Sequence, residues 1–128
     1  MTFEEAHRAI KRGQTSVIEQ AVPAAISVNS INRFGWTLLM LTALEGNTAI
    51  GSILLDRGAD VAALNKFGES ALSLAAHKGH LKFVQLLMSR GASGDVRPHG
   101  HDLESWLRSA SGLSTAKIAA LVEAFGKA

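Results

Sequence analysis

Apolar positions through the middle of this chain arrive in short runs with helical spacing, each closed by a glycine. "TLLMLTALEG" (37–46) and "SALSLAAHKG" (70–79) place a small hydroxyl residue, Thr37 or Ser70, directly before an apolar stretch and a glycine directly after it. A hydroxyl in that position accepts an orphan N–H of the first turn, and glycine takes the left-handed conformation that ends a helix, so each stretch predicts a capped first helix. A second apolar run follows each of them, "TAIGSILLDR" and "LKFVQLLMSR", ending at Gly58 or Gly91. The pattern predicts two antiparallel helices and a turn, written twice.

The two units are near-copies. Shifting the chain by 33 positions lays residues 32–64 on 65–97, with identities at the Asn, Phe and Gly of "NRFGWT" and "NKFGES", at two Leu and an Ala, and at Gly46/Gly79, Leu54/Leu87 and the Arg-Gly-Ala of 57–59 and 90–92. Self-similarity at this period is the signature of a stacked array in which each unit buries its apolar face only against its neighbours. The same shift sets Gly13 under Gly46, Val17 under Ile50 and Val22 under Leu55, so an N-terminal capping repeat spans about 2–31, opening on the capping-box spacing of Thr2 and Glu5. "DLESWLRSA" and "STAKIAALVEAF" supply two further amphipathic runs, a degenerate C-terminal cap over 98–128. The expectation is one all-α domain of about four helix-turn-helix repeats with short hairpin tips: 2–31, 32–64, 65–97 and 98–128.

These residues resemble the ankyrin-repeat family. Its G-x-T-x-L-x-x-x-A-x-x-G pattern is read from Gly35, Thr37, Leu39, Ala43 and Gly46, and more fully from Gly68, Ser70, Leu72, Ala75, Ala76, Gly79 and His80; "LLDRGADVAALN" and "LLMSRGAS" resemble its helix end and turn. Three departures stand out. The family's Thr-Pro-Leu-His becomes Thr37-Leu38-Leu39-Met40 and Ser70-Ala71-Leu72-Ser73, which predicts a more aliphatic core without the histidine's hydrogen bonds. Ala25 sits where a helix-ending glycine is expected, leaving the exit from the first repeat undefined. Gly51 lies inside a second helix at a cost of about 1 kcal/mol relative to Ala, which points to close helix approach.

The resemblance implies a binding surface on the turn tips and the exposed face of the first helices. Carried over position by position, it implies Arg33, Phe34, Trp36, Leu44, Glu45 and Arg57 in the second repeat, and Lys66, Phe67, Glu69, His77, Lys78 and Arg90 in the third. The family does not fix residue type at these sites. Phe34, Trp36 and Phe67 are nevertheless three of only seven aromatic residues, gathered on adjacent tips beside Arg and Lys, the composition of an interface hot spot. The competing placement has Phe34 and Phe67 folded back onto the neighbouring turn, holding the stack together.

Composition narrows the rest. Thirteen basic against eleven acidic residues give a net charge of +2, too balanced to draw the chain generally to nucleic acid or membrane. The third repeat is locally basic (Lys66, Lys78, Lys82, Arg90 and Arg97 against Glu69 and Asp95), while the second balances Arg33 and Arg57 with Glu45, Asp56 and Asp60; that asymmetry suits an acidic protein patch better than a phosphate backbone. Cysteine is absent, removing disulfides, thiolate ligands and a thiol nucleophile together. No apolar run approaches a membrane span or a secretory leader, so a cytoplasmic protein is expected, and one that is monomeric when free of its partner. His77, His80, His99 and His101 raise a zinc site, but neither cysteine nor clustered carboxylates complete a ligand set. Without a catalytic motif, the expectation is a non-enzymatic, cofactor-free module that inhibits or regulates a partner protein, a bacterial toxin's neutralising partner being one example. The alternatives are an adaptor bridging two proteins and a nucleic-acid binder using the basic third repeat.

Overall fold

The computed structural model describes residues 1–93, 100, 102–109 and 112–126. Eight helices lie among them: α1 (Phe3–Lys11), α2 (Thr15–Ala21), α3 (Leu38–Glu45), α4 (Thr48–Asp56), α5 (Ala71–His77), α6 (Leu81–Ser89), α7 (Leu103–Arg108) and α8 (Thr115–Gly126). Consecutive helices pair, and the pairs pile up in order. The first helices form one row, α1 on α3 on α5 on α7, and the second helices another, α2 on α4 on α6 on α8. Asp95, Arg97, His99 and His101, named above for charge and metal binding, lie outside the described residues.

Local chemistry sets the helix starts. Thr2 accepts the N–H of Glu5 while the Glu5 carboxylate accepts the N–H of Thr2, completing the box at α1. Thr37 accepts the N–H of Met40 at 3.1 Å and Ser70 that of Ser73 at 3.1 Å, as their positions predict. The lost family histidine is replaced rather than simply missing. At its position the Met40 sulfur takes the N–H of Thr37 at 3.5 Å, and the Ser73 hydroxyl takes that of Ser70 at 2.9 Å. A thioether is a weak acceptor and a hydroxyl a good one, so the third repeat is the better capped of the two.

The core runs between the two rows. Leu38, Leu39, Met40, Leu54, Leu72 and Phe83 are among its fully buried members. Gly46 closes α3 with φ of 69°. Gly51 explains itself by contact: a Cβ there would stand 2.6 Å from Phe83 Cε2 and 2.8 Å from Cζ, so the ring of α6 occupies the space that a side chain on α4 would need.

The exit from the first repeat departs from the other two. α2 stops at Ala21, Val22 is extended (φ −104°, ψ 124°), and the Val22–Pro23 peptide is cis. Arg57, at the end of α4, donates from Nη1 to the carbonyl oxygens of Glu19 and of Val22, the latter at 2.7 Å. A guanidinium thus takes up the terminal carbonyls of α2, where the second and third repeats end their helices on Gly58 and Gly91. Asn29 adds a second tie between repeats, donating to Gly58 O at 3.2 Å and accepting the N–H of Asp60 at 2.9 Å.

Candidate functional site

The recurring Asn-x-Phe-Gly is a turn built by its asparagine. Asn32 Oδ1 accepts the N–H of Phe34 at 2.9 Å and of Trp36 at 3.0 Å, and Asn65 Oδ1 accepts those of Phe67 at 2.9 Å and Glu69 at 3.1 Å. One side-chain oxygen therefore folds each tip and presents its phenylalanine outward. An antiparallel bridge between Ile31 and Thr37 closes the second-repeat tip at its base. Gly35 stands at φ 80°, and a Cβ on it would press to 3.2 Å from the Asn65 Cα, so glycine is required both by its own conformation and by the neighbouring tip. The tips are joined through the main chain, with Lys66 N–H donating to Phe34 O at 2.9 Å.

On this frame the two phenylalanines meet. Their ring centroids are 6.4 Å apart at 30°, within the usual range for an aromatic pair, yet Phe34 remains 42% and Phe67 45% exposed. The rings thus contact each other across the seam and still offer nearly half their surface to solvent. The Arg33 guanidinium lies 4.8 Å over the Phe34 ring. Ile31 and Leu64, equivalent positions at the base of each tip, are 60% and 54% exposed. Reading the sequence for aromatics passes over these two, although their shared register immediately before Asn32 and Asn65 is a visible signal.

The remaining residues implied by the resemblance are dispersed. Trp36 is half-buried against the core. Glu69 is a correction to the expected surface: only 7% exposed, it accepts from Asn65 Nδ2 at 2.9 Å and so serves the turn rather than the solvent face. Arg57 and Arg90 are corrections too, since they sit in the second-helix layer. Arg57 caps α2 as described, and Arg90 pairs with Asp56 at 2.8 Å across an exposed surface. Leu44, Glu45, His77 and Lys78 lie at the far ends of α3 and α5, about 12 Å from the tips by helix rise. Glu45 and Lys78 are exposed, Leu44 is half-buried, and His77 stacks on Trp106 with centroids 4.4 Å apart. The structure brings Arg33, Phe34, Lys66 and Phe67 together, with Ile31 and Leu64 on the same two tips.

His80, considered above as a ligand, has its Nε2 3.0 Å from the Leu44 carbonyl and links α6 to the end of α3. Among the described residues no group of three His, Asp or Glu side chains is placed to hold a metal ion, and no helix is long and apolar enough to cross a membrane. At the start of α1, the backbone N–H of Thr2 and then its hydroxyl hold the Glu5 carboxyl below the ordinary carboxylate range.

A family model described as ankyrin repeats in three copies matches residues 6–97. Curated relatives include the ankyrin repeat, SAM and basic leucine zipper domain-containing protein 1 of Oryctolagus cuniculus, 42% identical over 53 residues, and that of Echinops telfairi, 43% identical over 53 residues. Each alignment covers 41% of this chain and 11% of the relative, so the likeness is to a short segment of much longer proteins. The match begins within α1 and runs past the end of α6, while α7 and α8 continue the same pile beyond it. With its period, its caps and its paired helices all in one register, the chain belongs to the ankyrin-repeat family, whose repeats are generally protein–protein interaction modules.

Proposed function

We propose that this chain is a non-enzymatic module that binds a partner protein through its second- and third-repeat tips and thereby inhibits or regulates it. The observation that carries the reading is the Phe34–Phe67 pair, two large apolar side chains on adjacent tips that stay 42% and 45% exposed. Burial of that pair on association supplies the apolar anchor, and Arg33 and Lys66 beside it supply direction. Neutralisation of a bacterial toxin or effector is one form such inhibition takes, and a cytoplasmic setting accords with it.

The test is affinity capture from the native cell with the wild-type chain and with the Phe34→Ala/Phe67→Ala double variant, leaving the half-buried Trp36 intact. A protein recovered by the wild type and lost with the folded double variant identifies the partner and its site; undiminished recovery rejects the tips as the site. The adaptor reading draws on the exposed Glu45 and Lys78, which lie away from the tips. It requires a second captured protein that is indifferent to the Phe double variant and lost with Glu45→Lys/Lys78→Glu.

A further inference from the structure

We propose that the segment recognised by these tips is acidic and apolar: a stretch of a partner protein carrying Asp or Glu beside aliphatic or aromatic side chains. This rests on the tips being the binding site and adds the chemistry of what they bind. The apolar half follows from four side chains. Ile31 (60%), Phe34 (42%), Leu64 (54%) and Phe67 (45%) are four of the six large hydrophobic residues most exposed among those described, and all four belong to two adjacent tips. Monomer surfaces seldom gather apolar groups in this way unless something covers them.

The acidic half follows from how charges are paired. Between 31 and 37 and between 64 and 70 the chain carries two cations, Arg33 and Lys66, and one carboxylate, Glu69. The carboxylate is withdrawn, 7% exposed and engaged by Asn65. Both cations are exposed, and no carboxylate among the described residues pairs with either, whereas Arg90 and Arg108 have Asp56 and Glu104 at 2.8 and 2.7 Å. The two tips therefore expose four apolar side chains together with two cations, one of them, Arg33, lying directly over the Phe34 ring. A partner that covers the rings brings its own groups to within a few ångströms of Arg33 and Lys66, where carboxylates are attracted and lysines repelled. A single-stranded nucleic acid could stack on the rings, but Ile31 and Leu64 give bases nothing to stack on, and two cations are few for tracking a phosphate backbone.

The experiment uses a displayed library of random twelve-residue peptides, selected on the full chain and counter-selected on Phe34→Ala/Phe67→Ala. Both proteins are first matched by circular dichroism and thermal melting. The expected outcome is enrichment of sequences with excess Asp and Glu beside Leu, Ile, Phe or Trp. Synthetic versions of the enriched peptides should lose about 30-fold in affinity on the double variant. They should lose about tenfold on Arg33→Glu/Lys66→Glu, which should in turn gain affinity for Lys-substituted copies. Enriched peptides without an acidic excess, a library yielding nothing that depends on the two rings, or tighter ring-dependent binding of a labelled oligothymidylate would each overturn the inference. If native capture is still lost with the Phe double variant in those cases, the tip site stands and only the partner chemistry falls. If capture is also unchanged, both fall.

Discussion

Replacing Gly51 by alanine sets two well-measured effects against each other. Helix propensity alone favours Ala in the interior of α4 by about 1 kcal/mol. Against it stands the Phe83 ring, whose Cε2 and Cζ would be 2.6 and 2.8 Å from the new methyl, with Leu86 Cδ2 at 3.4 Å. Real Cβ atoms do not approach carbon that closely, and Phe83 is 0% exposed, so its ring has no solvent side into which to swing. Overpacking of this kind costs about 1–3 kcal/mol, and set against the propensity gain the net expectation is destabilisation by about 0–2 kcal/mol. Phe83→Leu alone should destabilise by leaving a void. Combined with Gly51→Ala, whose methyl fills part of that void, it should give a double variant more stable than the sum of the singles by about 1 kcal/mol. Urea unfolding followed by far-ultraviolet circular dichroism and by Trp fluorescence gives the four free energies, provided that the two transitions coincide. A Gly51→Ala variant stabilised by the full propensity gain, or a coupling within about 0.3 kcal/mol of zero, refutes the interlock.

Arg57→Ala should cost about 1.5–3 kcal/mol by stripping the charged donor from the Glu19 and Val22 carbonyls, and should speed amide exchange in α2 before the rest of the chain. Arg90→Ala, which breaks an exposed pair with Asp56, should cost no more than about 1 kcal/mol in the same assay. Asn32→Ala should release the N–H groups of Phe34 and Trp36, seen as faster exchange of those two amides while the core amides keep their protection. Because the Glu5 carboxyl is held below its ordinary range when folded, its contribution is complete above the unfolded carboxylate pKa and lost as pH falls through the lower folded value; Glu5→Gln should therefore flatten the acid limb of the stability curve, and an unchanged limb would count against the box.

What the sequence disclosed follows the range of each interaction. Thr37 and Ser70 cap groups three residues away, and Gly46 closes its own helix, so local spacing reveals them. Gly51 is legible as an anomaly, since a poor helix former inside a helix demands a close neighbour, but the identity of Phe83 as that neighbour is not. Arg57 escapes because its acceptors are 38 and 35 residues back and are main-chain oxygens, to which no side-chain pattern points. Glu69 escapes for a related reason: the period places it on a tip, while its direction is decided by the Asn65 amide. Ile31 and Leu64 were within reach, as equivalent apolar residues on a stretch that the alternation of helix and turn leaves outside both helices.

The Lys66-to-Phe34 hydrogen bond belongs wholly to the main chain, and so do the N–H groups gathered by Asn32 and Asn65. Cohesion of the tips thus rests on those main-chain groups and on the two asparagine side chains, while under the proposed function discrimination between ligands falls to the side chains at 33, 34, 66 and 67. Under that proposal, these four positions are open to change with a changing target while Asn32, Asn65 and Gly35 hold the turns beneath them, the one loss to the scaffold being the contact between the two rings.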